Sequence, residues 1–321
     1  MKTIKLLSIL LACICTISCN DESLDRFSLK NNDRIIPIEI EGEFHADVLL
    51  VRFVNDALSS LAEIGAYCSS KHNCIYYDLS YQSSVGNCCC SCSLENLSAD
   101  LDLLVYTLDQ KYGNSKSIFL YGNGSAASII LYYASKGKYR DSLDGIIINS
   151  AIINLKKTIE ASKEKVKELL KNELDITIYD ALKGRLEWFL KELNDINANN
   201  ASARGYFIFL KDNFRFIDGF DFETFDFDCS YSYFKDFSNF GRFDIIDEDL
   251  TNIVKDIETP ILTLWMDDEF LNPLSIGQEL FDLLETPDKE LHVFEDPCLP
   301  YFVDGTGEYT QTVIEFIEKY K

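Results

Sequence analysis

Apolar and polar residues alternate along the first half of the chain in the pattern of strands and amphipathic helices. Ile35–Ile40 alternates apolar with polar side chains, and Val48–Val54 is a continuous apolar run of the kind found in strands buried on both faces. A helix is predicted after Ser93, a residue type that caps helix N-termini, because leucines recur there with a helical period until Gly113. The other elements predicted in this half are strands at 74–79, 117–121 and 145–148 and a helix at 127–134.

The same alternation returns after residue 260, where strands are predicted at 261–265 and 290–294 and helices at 274–284 and 309–320. Alternating strands and helices predict an α/β fold with a mainly parallel, doubly wound sheet that carries helices on both faces. Residues 151–248 interrupt this pattern with charged amphipathic helices and a segment rich in Phe, Tyr and Asp, and they are too many for an ordinary connection. We therefore predict two core segments, 34–150 and 249–321, with a helical cap inserted at 151–248 over the carboxyl-terminal edge of the sheet.

The first nineteen residues have the pattern of a signal peptide. Two lysines precede an apolar run at 6–14, which is shorter than the about 20 apolar residues that a membrane-spanning helix needs. The junction Ser18-Cys19 resembles the lipobox of bacterial lipoproteins, which implies a signal peptide at 1–19 and acylation of Cys19 as the mature N-terminus. The alternative is an ordinary secretory signal with an incidental cysteine. Residues 20–33 are polar and are predicted to form a tether.

The acidic residues of the chain indicate where the protein is located and which partners it can bind. Acidic residues follow Cys19 directly, which resembles the signal that sends some lipoproteins to the outer face of the outer membrane. We predict a lipid-anchored protein of the bacterial cell envelope, in the outer membrane and exposed at the cell surface. The formal net charge of −23 argues against binding nucleic acid through phosphate contacts. The expected partners are the membrane, through the lipid, and a peptide, small-molecule or protein ligand.

Cysteines are abundant in this chain. Eight of the eleven lie outside the first nineteen residues: Cys68, Cys74, Cys88, Cys89, Cys90, Cys92, Cys229 and Cys298. An exported protein meets an oxidising compartment, so some of them are expected to pair. The cluster CCCSC at 88–92 is the alternative candidate for a metal site. Adjacent cysteines converge poorly on one ion, and no CxxC or histidine pair accompanies them, so neither a metal nor a cofactor is predicted.

Residues 118–134, with the sequence IFLYGNGSAASIILYYA, resemble the strand, sharp turn and helix that carry the nucleophile in α/β-hydrolases. More narrowly, they are similar to the proline iminopeptidase-like branch of serine peptidases. Residues 76–80, 93–113, 143–151 and 258–273 are similar to the neighbouring elements of these enzymes. The resemblance covers most of residues 45–321. It implies the α/β-hydrolase fold with an inserted helical cap and a catalytic set of serine, histidine and acid.

The resemblance assigns the nucleophile position to Gly124, the acid position to Asp268 and the histidine position to Leu299. Glycine has no nucleophilic atom and leucine cannot accept a proton, so no catalytic set is intact. The glycine-rich segment that forms the oxyanion hole in the family is replaced by RFVNDA at 52–57. We expect Gly124 to lie at a tight strand-to-helix turn between Tyr121 and Ala126 with a positive φ, the conformation in which this fold holds its nucleophile.

Two hypotheses from different classes follow. The first is a non-catalytic binding or interaction protein, in which the cleft between sheet and cap accepts a ligand. The second is an active serine hydrolase of peptidase or esterase type that uses a displaced nucleophile, Ser125 or Cys298. A nucleophile at Ser125 would put Asn123 where the turn needs a small residue. Of the three histidines, His292 falls inside the last predicted strand and not in the loop that follows it. The first hypothesis is therefore favoured.

Overall fold

The computed structural model describes residues 24–31, 34–41, 48–54, 73–78, 93–112, 116–171, 187, 190–191, 193–194, 248–267, 272–295 and 307–321. Within these ranges the chain forms eight strands and five α-helices with defined bounds, and residues 187, 190–191 and 193–194 are also helical. The strands are β1 (Leu24–Asn31), β2 (Arg34–Glu41), β3 (Val48–Val54), β4 (Asn73–Asp78), β5 (Ser117–Asn123), β6 (Gly145–Asn149), β7 (Ile261–Met266) and β8 (Lys289–Phe294). The helices are α1 (Leu94–Tyr112), α2 (Ser125–Lys136), α3 (Leu155–Lys171), α4 (Leu274–Leu283) and α5 (Glu308–Tyr320).

The strands form one sheet in the order β1-β2-β4-β3-β5-β6-β7-β8. Strands β3 to β8 are parallel, whereas β2 runs antiparallel to both β1 and β4. Parallel neighbours require long crossover connections, and α1, α2 and α4 lie in three of these connections. The mainly parallel sheet predicted from the sequence is confirmed.

Side chains of the central strands alternate between two apolar layers. In β5, Ile118 and Leu120 pack into the larger layer, to which α1, α2, α3 and α4 contribute. Phe119 and Tyr121 pack into a second layer, where α5 is the one helix of the described ranges that covers the sheet. The hydroxyl groups of Tyr121 and Tyr309 lie 2.6 Å apart inside this second layer and satisfy each other. Helices therefore cover both faces, as a doubly wound sheet requires.

The helix predicted after Ser93 is α1. The Ser93 side-chain oxygen accepts a hydrogen bond from the backbone N–H of Asn96 at 3.3 Å, so the predicted N-cap is confirmed. The periodic apolar positions are all buried against the sheet and α2; they are Leu94, Leu97, Leu101, Leu104, Val105 and Leu108.

Strand β1 overturns most of the tether predicted at 20–33. The eight residues of β1 pair along their whole length with β2. Leu29 is buried and Phe27 packs against the core, whereas Ser28 between them and Lys30 after them are polar and exposed. A strand at the edge of a sheet is half solvated, so alternating polar residues are compatible with pairing, and the polar composition is misleading. Asn31 further donates a hydrogen bond to the buried carboxylate of Asp100 at 2.6 Å, which fixes β1 to α1.

Several predicted features lie outside the described residues. They are the signal peptide with Cys19, the first positions of the tether, most of the cysteines and the larger part of the cap at 151–248. Of the cap, helix α3 is described; it is amphipathic, as expected, and buries Leu155, Ile159 and Val166. Among the helices that the structure describes, none is long and apolar enough to cross a membrane.

Candidate functional site

The candidate site is the turn between β5 and α2. Gly124 is the residue between strand and helix, with φ 56° and ψ −118°. The positive φ expected at this position is confirmed. Glycine adopts this backbone conformation without the steric cost that a Cβ atom would bring. The turn therefore has the backbone of a nucleophile-bearing elbow but no side chain at its apex.

Close approach of helix and strand explains the small residues around the apex. A Cβ atom on Gly122 would lie 2.7 Å from the Ile130 side chain and 2.9 Å from backbone atoms of Ala126 and Ala127. Two of these three contacts involve backbone, which cannot move aside as a flexible side chain can. The start of α2 is thereby held against the end of β5.

Hydrogen bonds fix the apex on both sides. The N–H of Gly124 donates to the carbonyl of Asn149 at the end of β6, at 2.9 Å. The carbonyl of Gly124 accepts from the N–H of Ser128 at 3.2 Å and from its hydroxyl at 3.3 Å. The same hydroxyl also donates to the carbonyl of Ile152 at 2.8 Å and accepts from the N–H of Ile152 at 3.1 Å. Ser128 is buried, so it connects the elbow to the segment after β6 inside the protein.

A second unusual turn follows β6. Ser150 has φ 49°, and it is the one residue other than glycine with a positive φ in the described part of the chain. Its N–H donates to the carbonyl of Leu264 at 3.1 Å, and its hydroxyl donates to the side-chain oxygen of Asn149 at 3.2 Å. The Asn272 amide donates to the carbonyls of Ser150 and Ala151 at 2.7 and 3.0 Å.

Asn272 is itself held by β7. The indole N–H of Trp265 donates to the backbone carbonyl of Asn272 at 2.7 Å, and both side chains are buried. Among the residues that the structure describes, no hydrogen-bond partner reaches the buried side-chain oxygen of Asn272, or that of Asn123 beside the apex. The ends of β5, β6 and β7 are thus joined by one network of buried polar groups at the carboxyl-terminal edge of the sheet.

Ser125 does not lie at the apex of the turn, since it is the first residue of α2. Asp268, Leu299 and Cys298 lie outside the described residues, as do residues 55–57 of the expected oxyanion segment. The neighbour of the acid position, Asp267, is described, and its N–H donates to the carbonyl of Phe294 at 3.0 Å.

His292 does not complete a catalytic set with the elbow. It lies in β8, which is separated from β5 by β6 and β7, a distance of about 14 Å at ordinary strand spacing. Its Nε2 atom lies 3.0 Å from a carboxylate oxygen of Glu308 in α5, and its ring packs on Phe294. The expectation that this histidine is a strand residue is confirmed, and its imidazole is paired away from the elbow.

Two carboxylates and one tyrosine beside the start of α1 have shifted pKa values. Burial, followed by the nearby Glu95 carboxylate, raises the pKa of Glu248, whereas the hydrogen bond from Ser93 lowers the pKa of Glu95. Burial raises the pKa of the adjacent Tyr132 hydroxyl above its usual value. Within the described ranges, no group of three His, Cys, Asp or Glu side chains has the geometry of a metal site.

Sequence reasoning found Gly124 but missed the residues that hold it. Ser128 carried a signal, because it is a lone serine in an otherwise apolar stretch of helix. Asn272 carried a weaker one, a polar residue just before Pro273 at the start of a predicted helix. Ser150 carried none, because serine is common at strand ends and a positive φ is invisible in the residue type.

No family model matches the chain, and no curated protein is similar to it in sequence. Among solved structures, an esterase from Pyrococcus furiosus is 12% identical over 95% of this chain and 95% of its own, with a TM-score of 0.57. An esterase from Thermogutta terrifontis is 16% identical over 92% of this chain and 99% of its own, with a TM-score of 0.55. An enol-lactonase from Burkholderia xenovorans is 13% identical over 91% of this chain and 99% of its own, with a TM-score of 0.53.

The chain has the α/β-hydrolase fold. The fold class predicted from the sequence is therefore confirmed. At identities this low, the likeness concerns the architecture and not the activity of these enzymes. In active α/β-hydrolases the nucleophile stands on the strained turn between a central strand and the following helix. In this chain the residue in that turn is Gly124.

Proposed function

We propose that this chain is an envelope lipoprotein in which an α/β-hydrolase fold serves as a non-catalytic binding or interaction protein. The observation that carries the proposal is the glycine at the apex of the elbow, at φ 56° and ψ −118°. An acyl-transfer enzyme of this fold needs an oxygen or sulfur atom on that residue. Glycine keeps the backbone of the elbow and removes the reacting atom.

The displaced-nucleophile alternative requires more than a nearby hydroxyl. Ser125 is in the first turn of α2, where the backbone is helical, and the apex conformation that presents a nucleophile belongs to its neighbour. A base must also lie within hydrogen-bond reach of the hydroxyl. His292 lies in β8, three strands away from β5 in the sheet, and its imidazole pairs with Glu308. The resemblance to the family assigns the position of the histidine to Leu299. Each missing element of such a site costs orders of magnitude in rate.

Binding is the use that the remaining architecture supports. The buried network at the ends of β5, β6 and β7 preorganises the carboxyl-terminal edge of the sheet, which is where open α/β sheets bind their ligands. The backbone around the apex is held in place, and the apex has no side chain that would select one kind of ligand. The ligand can therefore be a peptide, a small molecule or a protein segment. The similarity of residues 118–134 to proline iminopeptidases favours a peptide with a free N-terminus among these.

Hydrolysis assays separate the two hypotheses. The wild-type protein, Ser125→Ala and Cys298→Ala are assayed on short-chain esters and on aminoacyl arylamides, including prolyl arylamide. We expect no turnover above background from any of them. Wild-type turnover that disappears in Ser125→Ala or in Cys298→Ala would overturn the non-catalytic proposal and identify the nucleophile.

Restoration variants test why activity is absent. Gly124→Ser alone, and Gly124→Ser combined with Leu299→His, should fold and remain inactive, because residues 52–57 lack the glycines of a preformed oxyanion hole. Strong activity in the double variant would show that the side chains alone were missing and that the rest of the machinery is intact.

A pull-down with the mature domain from culture medium and envelope material tests binding directly. The expected result is a defined co-purifying molecule that raises the melting temperature when it is added back, as any ligand selective for the folded state must. Membrane association is tested separately with Cys19→Ala, which should release the protein from the membrane fraction or leave unprocessed precursor. Unchanged fractionation and processing of this variant would contradict the lipoprotein assignment.

A further inference from the structure

The first described strand shows on which side of the domain the chain enters it. Asn31, at the end of β1, donates a hydrogen bond to Asp100 in the first half of α1 at 2.6 Å. Phe27, four residues earlier, lies under the Lys111 ammonium group near the end of α1, at 5.1 Å. β1 and α1 therefore run side by side in opposite directions. Leu24 begins β1 three residues before Phe27, so it lies on the side of the domain where α1 ends.

The elbow lies at the opposite end of the same layer of helices. α1 and α2 run in the same direction, because each leads from the carboxyl end of one parallel strand to the amino end of the next. The Glu95 carboxylate lies beside the Tyr132 hydroxyl, and farther along both helices Asp102 accepts a hydrogen bond from the Lys138 N–H at 2.7 Å. Gly124 precedes Tyr132 by eight residues, about 12 Å along α2, so the elbow projects beyond the start of α1.

The length of α1 gives the separation between the elbow and the start of β1. Sixteen residues separate Glu95 from Lys111, which is about 24 Å along the helix. With the part of α2 that projects beyond α1, the elbow lies roughly 30 to 36 Å from the contact between Lys111 and Phe27, because packed helices are somewhat inclined to each other. Leu24 lies farther still from Gly124, since β1 runs away from the elbow toward its own start.

The chain between Leu24 and the proposed lipid is shorter than this separation. Cys19 precedes Leu24 by five residues, which span at most about 18 Å when fully extended. If Cys19 carries the lipid, β1 must begin within about 18 Å of the bilayer surface. A compact domain of about 300 residues is about 50 Å across. The connection is therefore too short for the domain to turn its far side to the membrane.

We propose that the domain stands on the membrane with the end of α1 toward the bilayer and the elbow toward the medium, so that the candidate site takes its ligand from the medium and not from the bilayer. The proposal rests on the lipid anchorage given under the proposed function. A membrane lipid would have to cross roughly 30 Å of water to reach Gly124, which exposes its acyl chains. A soluble ligand reaches the same edge of the sheet by diffusion.

The test measures energy transfer from the full-length lipidated protein to vesicles of phosphatidylethanolamine and phosphatidylglycerol that contain a rhodamine-labelled headgroup. The donor dye is attached to p-azidophenylalanine, which leaves the cysteines unlabelled and replaces either Gln110 or, as the matched control, Ala99. Both positions are exposed, and they lie on one face of α1 because eleven residues make about three turns. Gln110 is about 16 Å closer to the end of α1 that is proposed to face the bilayer.

We expect transfer from Gln110 to be about twice that from Ala99, since transfer falls steeply with distance and the two differ by about 16 Å. Insertion of about 20 Gly and Ser residues between Ser23 and Leu24 adds a flexible span of about 25 Å and should bring the two values together. A difference that persists with this longer connection would overturn the argument from its length. Membrane-bound protein with equal transfer from both positions, or more from Ala99, would overturn the orientation and leave the lipoprotein assignment standing. Protein that stays soluble with Cys19 intact would overturn both.

Discussion

Two neighbouring strand ends each contain a residue with a positive φ, and they accommodate it by different means. At the end of β5 the residue with positive φ is Gly124, which has no Cβ atom to resist it. At the end of β6 it is Ser150, for which the left-handed conformation is strained. The hydrogen bonds from Asn272 and to Leu264 hold Ser150 in place, and its hydroxyl bonds the side chain of Asn149.

The comparison of Gly124 with Ser150 shows which of the two turns has a strained backbone. Backbone strain in α/β-hydrolases is expected at the nucleophile, because a serine must be held there in a sparsely populated conformation. In this chain the elbow is relaxed by glycine, and the strained residue lies one strand away in a structural network. A protein without a nucleophile has no need to store strain at the elbow, which agrees with the proposed loss of catalysis.

The largest effect is expected when the network that holds Ser150 is broken. Asn272→Ala removes the amide donor from two buried carbonyl groups and should lower the free energy of unfolding by about 2 to 5 kcal/mol. The melting temperature should fall by on the order of 10 °C, and circular dichroism measures it. Gln278→Ala, at an exposed position of the next helix, is the control and should change little. Equal melting temperatures for the two variants would show that the network does not stabilise the turn.

Closing the space beside the elbow should cost somewhat less. Gly122→Ala places a Cβ atom within 2.9 Å of the Ala126 and Ala127 backbones, so α2 must shift, at a cost of about 3 kcal/mol. Adding Ile130→Val relieves the side-chain contact only, and thermal unfolding should show no recovery. Full recovery in the double variant would mean that the strand and helix are not held together by backbone contact.

Restoring a side chain at the apex tests the relaxed turn. Gly124→Ser should lower the free energy of unfolding by about 1 to 2 kcal/mol, because any Cβ atom is strained at positive φ. Gly124→Ala should cost about the same, since the penalty comes from the backbone and not from the hydroxyl. Denaturant titration of both variants gives these values. If Gly124→Ser is as stable as the wild type, the positive φ at this position does not strain a residue that has a Cβ atom.

The smallest effect is expected at the strained turn. Ser150→Gly relieves the left-handed strain but loses the hydrogen bond to Asn149 and gains unfolded-state entropy, so these terms should cancel to within about 1 kcal/mol. Ser150→Ala loses the same hydrogen bond and keeps the strain, and it should therefore be the less stable of the two. Denaturant titration that ranks alanine above glycine would contradict the strained assignment of Ser150.

Much of the fold was predictable because its signals are local. The apolar runs of β3 and β5 and the helical period of α1 lie in consecutive residues, and the Ser93 cap acts on a backbone group three residues away. The elbow was predictable from the resemblance of residues 118–134 to α/β-hydrolases, which lies within one short segment. β1 was missed because the polar side of an edge strand has the composition of a tether.

By itself, the sequence determined most of the strands and helices, the mainly parallel character of the sheet and the residue type at the apex of the elbow. Each of these depends on neighbouring residues or on residue type. Only the tertiary structure decided that Ser150 has a positive φ, that Asn272 holds it and that His292 pairs with Glu308. Those features depend on groups that the chain brings together from more than ten residues away, and a hydrogen bond of that kind leaves no periodic trace in the sequence.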